Sequence, residues 1–165
     1  MSVEVEIIPL LHNTSSIQRM LDFARLVVSL RLKRLVLTKV YGAAAQHGLG
    51  DLGRILYKSG VSLLILSDLS DAVELLKPDI TFIVTKSNNP SSFDPLNPPT
   101  VRGRVLVAFN GGEPDFTPEE SSLGKPIYPR GTEGRMGPNA EASLVLYSLT
   151  RSVGGGEKTS REAGV

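Results

Sequence analysis

The sequence predicts an α/β fold in which helices cover both faces of a mainly parallel sheet, and three observations predict it. Short apolar runs alternate with longer segments of helical period over the first half of the chain. Runs such as residues 62–66 (SLLIL) are apolar almost throughout, as expected of strands that are buried on both faces. The length of 165 residues, with 41% hydrophobic and 21% charged residues, suits one folded domain.

The first half of the chain is predicted to form four strands joined by three helices. Residues 3–8 alternate polar and apolar side chains before Pro9, which predicts a half-buried first strand. The first helix begins at Ser15, whose spacing from Gln18 is that of a capping box, and the second helix ends at Gly60. The remaining elements are strands over 35–38, 62–66 and 80–85, and helices over 43–59 and 70–76.

The second half breaks this alternation with two segments rich in Gly and Pro. Residues 86–103 have no apolar period, so they are predicted to form a long loop that is either a lid or an ornament. The elements that follow are a strand over 104–109, a short helix from Thr117, a strand over 125–128 and a buried helix over 139–151. One domain then spans residues 1–151, and residues 152–165 are predicted to be a disordered tail.

The composition excludes several classes of function. The net charge is +1, so no overall field favours a nucleic acid or a membrane, and a basic site must be local. The absence of Cys excludes thiol catalysis and Fe–S clusters, and His12 and His47 have no partners at ligand spacing, so we expect no metal. No apolar run approaches the roughly 20 residues of a membrane span, so we expect a cytoplasmic protein.

Three places are candidates for ligand binding. The glycine-rich segments 110–114 and 129–139 follow the carboxyl ends of two predicted strands, where they either hold a flat cofactor or form ordinary turns. Arg19 lies near a helix start, which favours anions, and either binds a phosphate or is solvated. The third place is a cluster of cations that suits a phosphate backbone or simply solvent: Arg31, Lys33, Arg34, Arg54 and Lys58.

Three segments resemble, in order along the chain, the motifs of one enzyme class. The first pairs an Asn with an Arg six residues later, the second is an apolar strand that leads into a Gly-x-Glu loop, and the third joins a strand through a loop to the last helix. The matching residues are Asn13 and Arg19, Gly111 and Glu113, and Ile127 with Met136 to Ala140. Over residues 3–151 the chain resembles the SpoU (TrmH-type) branch of the SPOUT class of S-adenosylmethionine-dependent RNA methyltransferases. Pro114, Phe116 and Gly137 depart from the family's usual residues.

The resemblance implies a SPOUT fold with a C-terminal trefoil knot, a homodimer through the last helix, and S-adenosylmethionine as cofactor. It implies methylation of tRNA or rRNA at a ribose 2′-hydroxyl, with RNA contacts from the basic cluster. The implied catalytic residues are Asn13, Arg19, Glu113 and Asn139, of which Arg19 binds the phosphate beside the reacting hydroxyl. The implied cofactor-binding residues are Thr85, Phe109, Asn110, Gly111, Ile127, Tyr128, Pro129, Met136, Gly137 and Pro138.

Other functions stay open beside the expected RNA methyltransferase. The altered second motif and Gly137 suit a SPOUT-fold protein that binds RNA or the cofactor without transferring a methyl group. A flavodoxin-like nucleotide binder without a knot and a metal-dependent nuclease are further alternatives. A metal-dependent nuclease uses clustered carboxylates for Mg²⁺ with a Lys nearby, and no such arrangement stands out on the predicted strands.

Overall fold

A sheet of seven strands lies at the centre of the protein, whose computed structural model describes the backbone of residues 4–163 and the side chains of residues 4–154. The strands are β1 (Val5–Thr14), β2 (Arg34–Val40), β3 (Ser62–Leu66), β4 (Ile80–Val84), β5 (Ser91–Phe93), β6 (Gly103–Asn110) and β7 (Lys125–Pro129). Their order is β3-β2-β1-β6-β4-β7-β5, and each pairing between these neighbours is parallel. The predicted parallel α/β sheet is confirmed.

Five helices accompany the sheet, and the start of the first differs from the prediction. They are α1 (Ile17–Ser29), α2 (Leu49–Lys58), which follows a π-helical turn over Ala44–Gly48, α3 (Leu69–Leu76), α4 (Pro118–Ser121) and α5 (Pro138–Ala163). Ser16, and not Ser15, caps α1, because its Oγ accepts from the backbone N–H of Arg19 at 3.2 Å. Gln18 donates to Asp22 instead, so the predicted capping box is wrong.

Apolar side chains alternate between the two faces of the sheet and build a core on each. On one face, odd-numbered residues of β1, β2 and β6, such as Leu11 and Val107, pack with buried residues of α1, α2 and α5. On the other face, even-numbered residues such as Leu10 and Leu106 pack with α3 and Phe116. Since helices or loops cover both faces, the central strands are apolar throughout, which is the pattern that the sequence shows. The prediction that residues 62–66 are buried on both faces is wrong, because β3 is an edge strand and Ile65 is 45% exposed.

The first strand is longer than predicted. β1 continues through Pro9 to Thr14, and its pairing with β2 begins at Leu10, directly after the residue that lacks a backbone N–H. Near the end of the pairing, Asn13 and Lys39 both adopt left-handed backbone conformations, with φ of 63° and 51°, and interrupt the register. Asn13 is therefore held at the carboxyl end of a central strand and not in a loop.

The Pro-rich segment 86–103 contains a strand that the sequence does not predict. β5 pairs with β7 at the edge of the sheet, and Phe93 is buried. The Ser148 hydroxyl of α5 donates to the carbonyl of Pro95 at 2.6 Å, so the segment packs against both the sheet and the last helix. A strand of three residues has no detectable period, and prolines are tolerated at a sheet edge, which is why the pattern predicted only a loop.

The last helix continues past Arg151, where the sequence predicts its end, since α5 runs over Pro138–Ala163. The predicted disordered tail, residues 152–165, overlaps this helix and reaches residues 164–165, which lie outside the described residues. The division into one domain and a tail therefore stays a prediction. Within the described residues, no helix combines the length and the apolar character that crossing a membrane requires.

Candidate functional site

The carboxyl ends of β1, β6, β4 and β7 are neighbours at one edge of the sheet, and most of the predicted site residues gather there. We call the loops 111–117 and 130–137, with Asn13 and Arg19, the carboxyl-edge site. The strand order brings Asn13 beside the end of β6, while α1 carries Arg19 over the loop that follows β6. In a parallel sheet this edge is where ligands bind.

Two asparagines shape the first loop of the carboxyl-edge site. Asn13 Nδ2 donates to Asn110 Oδ1 at 3.2 Å, and the same oxygen accepts from the backbone N–H of Gly112 at 3.0 Å. Asn110 Nδ2 donates to the carbonyl of Pro114 at 3.1 Å. Both asparagines are buried, so their side chains fix the path of the loop, and the site roles predicted for them stay predictions.

The glycines of this loop are required by contact with β1. A Cβ on Gly111 would lie 2.9 Å from Thr14 Cβ, and a Cβ on Gly112 would lie 2.9 Å from the carbonyl oxygen of Asn13. Neither glycine has a positive φ. The sequence suggested that glycine lets the backbone approach a ligand, whereas the structure shows an approach of the loop to β1.

Two guanidinium groups meet at the same loop. Arg19 Nη1 donates to the carbonyl of Gly111 at 2.9 Å, and Arg135 Nη2 donates to the carbonyl of Gly112 at 3.0 Å. Arg19 is exposed and makes no ion pair within the described residues, so its remaining N–H groups face solvent. Motif spacing predicts Arg19 as a site residue, whereas the sequence gives no signal for Arg135 beyond its place in the glycine-rich segment 129–139.

Arg135 also faces two carboxylates of different exposure. Its Nη1 lies 3.0 Å from Glu113 Oε1 and its Nε lies 3.8 Å from Asp115 Oδ2. The Asp115 side chain is only 9% exposed and accepts from the backbone N–H groups of Lys86 and Ser87 at 3.1 and 3.3 Å. The Glu113 side chain is 86% exposed, so it is the carboxylate of this group that a ligand or water can reach.

A buried pair anchors the second loop to α5. The Tyr128 hydroxyl donates to Glu141 Oε2 at 2.6 Å and accepts from the backbone N–H of Met136 at 2.8 Å. Burial raises the pKa of Glu141 to about 7, although the bond from Tyr128 opposes this shift, and burial also raises the pKa of Tyr128. Lys86 Nζ lies 4.9 Å from the centre of the Tyr128 ring and donates to the carbonyl of Thr132 at 2.8 Å. The sequence gives no functional signal for Glu141, because this residue occupies a helix whose pattern predicts only burial.

The remaining predicted cofactor residues also lie at this edge, with different exposures. The backbone N–H of Thr85 donates to the carbonyl of Ile127 at 3.0 Å. Phe109 is fully buried against Phe23, so only its backbone is near the site. The Asn139 side-chain oxygen is buried and accepts no hydrogen bond from the part of the chain that the structure describes, so the start of α5 is incompletely satisfied there. Gly137 has φ of 92°, a conformation that the family's usual Ser would not adopt without strain.

The structure divides the predicted basic cluster. Arg31, Lys33 and Arg34 lie at the opposite edge, where the strands begin, because the chain reverses after α1 before it enters β2. Arg54 and Lys58 are exposed on α2, and Arg54 forms an ion pair with Asp51. Three of the five cations therefore line one cleft, while the other two lie on α2 outside that lining, so the structure divides the predicted cluster.

His12 is buried in a relay of hydrogen bonds near the end of β1. Its Nδ1 lies 2.7 Å from Thr38 Oγ1 and its Nε2 lies 2.6 Å from Glu120 Oε2, while Phe116 stacks on the ring. Burial lowers the pKa of His12, and Glu120 opposes that shift. The Thr38 side chain is fully buried, so no substrate reaches its hydroxyl and the relay holds α4 against the sheet.

Sequence comparison with known proteins identifies the family of this chain, and structural comparison identifies proteins with a similar fold. The model of a family described as RecB-family nuclease (DUF2122) matches residues 42–148. A candidate type II restriction enzyme of Aeropyrum pernix is 48% identical over 152 residues, which cover 92% of this chain and 97% of that protein. A second candidate type II restriction enzyme, from Methanocaldococcus jannaschii, is 29% identical over 143 residues, 87% of this chain and 95% of that protein.

The similar solved structures are methyltransferases of low sequence identity. The SpoU methyltransferase AviRb of Streptomyces viridochromogenes matches with a TM-score of 0.68 at 13% identity, over 92% of this chain and 61% of that chain. A structure described as giving insights into 2-OH methylation of C/U34 on tRNA matches with a TM-score of 0.68 at 15% identity, over 91% of this chain and 97% of that chain. These matches establish a SPOUT-like α/β fold for the chain.

The predicted function is contradicted by the sequence relatives. The family description and both curated relatives name nucleases, so the prediction of an S-adenosylmethionine-dependent RNA methyltransferase is wrong. The three motifs indicated a SPOUT-like fold, of which the structure shows the parallel α/β sheet, but one fold supports many activities. With a model match over residues 42–148 and a relative 48% identical along nearly its full length, the chain belongs to the DUF2122 family, described as RecB-family nuclease.

Proposed function

We propose that this protein is a nuclease that binds the phosphodiester backbone of a nucleic acid at the carboxyl-edge site. The observation that carries the proposal is the meeting of Arg19 and Arg135 at adjacent carbonyls of one loop. Each guanidinium group has five N–H donors, so one bond to a carbonyl orients the group and leaves donors for phosphate oxygens. Arginine suits this task because its planar group matches phosphate geometry.

The two arginines contribute differently to phosphate binding. Arg19 is exposed and has no carboxylate partner in the described part of the chain, so a phosphate oxygen replaces only water around it. Arg135 is held between Glu113 and Asp115, and its charge is partly used there. Arg19 therefore supplies most of the binding energy, and Arg135 fixes the phosphate beside Glu113.

The family description suggests hydrolysis of a phosphodiester as the reaction. A water oxygen attacks phosphorus, the bond between phosphorus and the leaving oxygen breaks, and the leaving oxygen takes a proton from solvent. The proton of the attacking water needs an acceptor, and Glu113 is the exposed carboxylate beside Arg135. Arg19 and Arg135 stabilise the negative charge that builds on the phosphate oxygens.

The carboxylates of this site do not fit a centre for divalent metal ions. Nucleases that use such ions hold them between clustered carboxylates. Among the described side chains, residues 4–154, no group of three or more His, Cys, Asp or Glu is placed to hold a metal ion. Glu113 and Asp115 share Arg135 instead, and the backbone occupies Asp115. The proposed step therefore uses the Glu113 carboxylate without a metal.

Fluorescence anisotropy measures binding to fluorescein-labelled single-stranded RNA, single-stranded DNA and duplex DNA, each of roughly 20 nucleotides. We expect Arg19→Ala to weaken the preferred ligand by about tenfold, since one charge-assisted contact contributes roughly 1.5 kcal/mol. Arg25→Ala is the matched control, because Arg25 is an exposed cation on the same helix that pairs with Asp22. Equal affinities of the two variants would contradict the proposed binding site.

Cleavage is tested with the same end-labelled nucleic acids, with Mg²⁺ and with EDTA. We expect the protein to cleave in both conditions and Glu113→Gln to lower the rate by about 10²-fold or more, as loss of a general base does. Glu119→Gln is the control, because Glu119 is an exposed acid of α4 outside the site. Complete inhibition by EDTA, or a Glu113→Gln variant as fast as the control, would contradict the assigned role of Glu113.

Four features implied by the resemblance stay predictions: the SpoU branch, the trefoil knot, the homodimer through α5 and S-adenosylmethionine binding. The backbone around Thr85, Gly111, Tyr128 and Gly137 gathers at one edge, which supports a small-molecule pocket there. Calorimetry with S-adenosylmethionine tests the pocket, and light scattering tests the dimer. Absence of saturable heat, or a monomer at all concentrations, would remove the corresponding prediction.

A further inference from the structure

A second cleft lies at the amino edge of the sheet, where the strands begin. Its volume is about 900 Å³, and it is lined by the first residues of β1, β2, β3 and β6 together with the turn after α1 and the end of α3. We call it the amino-edge cleft. Five cationic side chains line it: Arg31, Lys33, Arg34, Lys77 and Arg104.

Two of these cations, Arg34 and Arg104, form ion pairs or hydrogen bonds within the cleft. Glu6 lies between Arg34 and Arg104, with oxygen to nitrogen distances of 3.3 and 3.5 Å. Asp79 Oδ2 accepts from the backbone N–H of Arg104 at 2.8 Å, and Arg104 Nη1 donates to the carbonyl of Leu76 at 2.6 Å. These bonds hold the floor of the cleft in place and occupy Glu6 and Asp79, so Glu4 is the one acid of the described lining that they leave to face the other cations.

The other three cations carry the excess charge. Arg31, Lys33 and Lys77 are exposed and form no ion pair within the part of the chain that the structure describes. With Glu4, Glu6 and Asp79 counted, the lining has a net charge of +2, which exceeds the net charge of +1 of the whole chain. The carboxyl ends of α1 and α3 add roughly half a negative charge each, which leaves a positive balance.

We propose that the amino-edge cleft binds phosphate groups of a nucleic acid backbone, as a second contact surface of the ligand that the carboxyl-edge site processes; this inference rests on the proposed function. No aromatic side chain lines the cleft, so bases have nothing to stack on and the contact is made to the backbone. Contacts of this kind are independent of sequence and depend strongly on salt.

Charge reversal inside the cleft and on α2, outside its lining, tests the proposal. We expect the double variant Lys33→Glu/Lys77→Glu to bind the labelled single-stranded RNA at least about tenfold more weakly than the unmodified protein. The slope of log Kd against log salt should fall by about 1.4, since each lost phosphate contact on a single strand removes about 0.7. The matched control is Arg54→Glu/Lys58→Glu, which reverses two cations on α2 outside the cleft and should change Kd less than about twofold. Thermal unfolding checks that both variants fold.

The results with the amino-edge and carboxyl-edge variants show separately whether the amino-edge contact and the proposed carboxyl-edge site are correct. Unchanged affinity of Lys33→Glu/Lys77→Glu, or equal losses in both charge-reversed variants, would overturn the amino-edge contact. If Arg19→Ala/Arg135→Ala keeps full affinity while Lys33→Glu/Lys77→Glu loses it, the proposed site fails and the amino-edge contact stands. Calorimetry with inorganic pyrophosphate distinguishes a small ligand: saturable heat that Lys33→Glu/Lys77→Glu abolishes, with unchanged RNA affinity, would also overturn the proposal.

Discussion

The two edges of the sheet hold their cations in different ways. At the carboxyl edge, Arg19 and Arg135 donate to the backbone of one glycine loop, and a buried Tyr128–Glu141 bond anchors the loop that carries Arg135. At the amino edge, the three unpaired cations of the cleft are exposed on short turns and on the end of a helix. The difference lies in how far the surrounding structure fixes each charge.

Because of that difference, the carboxyl-edge arginines can position a phosphate, whereas the amino-edge cations only attract it. A guanidinium group fixed by hydrogen bonds presents its donors in one geometry, which is what a reacting phosphate requires. Exposed cations attract any phosphate backbone but define no single geometry. We therefore expect substitutions at the carboxyl edge to change stability as well as binding, and substitutions at the amino edge to change binding alone.

The largest effect is expected from Gly111→Ala. The added Cβ would lie 2.9 Å from Thr14 Cβ, so the loop must move away from β1 and displace the carbonyl to which Arg19 donates. We expect a loss of about 1–3 kcal/mol in the free energy of unfolding, measured by urea denaturation, together with weaker RNA binding. Gly134→Ala is the control, because nothing lies within 4 Å of a Cβ there. Equal stability of both variants would show that the loop is not fixed by β1.

The next largest effect is expected from Tyr128→Phe. Loss of the hydroxyl leaves Glu141 and the backbone N–H of Met136 without their partner. We expect a loss of about 1–3 kcal/mol in unfolding free energy, since buried polar groups would lose their hydrogen bonds. Tyr147→Phe is the control, because Tyr147 is exposed and, among the described side chains, its hydroxyl is bonded by Arg151 alone. If the control destabilises the protein equally, the buried pair does not anchor the second loop.

The pH dependence of stability gives a third test at the carboxyl edge. Burial raises the pKa of Glu141 from 4.5 to about 7, so between these values the folded protein holds a proton that the unfolded chain has released. The stability from this group is present below pH 4.5 and is lost as pH rises through about 7. We expect the unfolding free energy of the unmodified protein to fall relative to that of Glu141→Gln between about pH 5 and pH 8. His12, whose pKa is lowered, acts in the opposite direction below about 6.5 and cancels in this comparison.

The smallest effect is expected at the amino edge, from Glu6→Gln. This change frees Arg34 and Arg104 from a partly exposed ion pair, so the unfolding free energy should change by less than about 1 kcal/mol. The cleft loses one negative charge, so its net charge rises by one, and RNA affinity should rise by about two- to threefold at low salt. Weaker binding, measured by anisotropy, would mean that Glu6 organises the cleft and does not merely neutralise it.

The order of strands and helices follows from the sequence because each central strand is buried on both faces and each helix has one apolar stripe. The exceptions have local causes. Pro9 suggested the end of β1, but pairing with β6 continues through it. β5 is too short to show a period, and its neighbours on β7 supply its stability.

The candidate site was only partly accessible to sequence reasoning. Arg19, Gly111 and Glu113 were found because motif spacing places them at strand ends. Arg135 and Glu141 were missed, since their roles depend on side chains that meet only after the chain has folded. The structure divides the predicted basic cluster for the same reason, because sequence distance does not show which edge of the sheet a turn occupies. The activity was misjudged because the motifs describe a fold that several activities share.

The most direct test of where the ligand binds is a titration of the ¹⁵N-labelled protein with single-stranded RNA, in which two-dimensional NMR monitors the backbone amides. We expect the largest shifts at the amides of loops 111–117 and 130–137, with smaller and salt-sensitive shifts at Arg31, Lys33 and Lys77. Shifts confined to the amino edge, or spread over α2, would contradict the central claim that the carboxyl-edge site holds the phosphodiester.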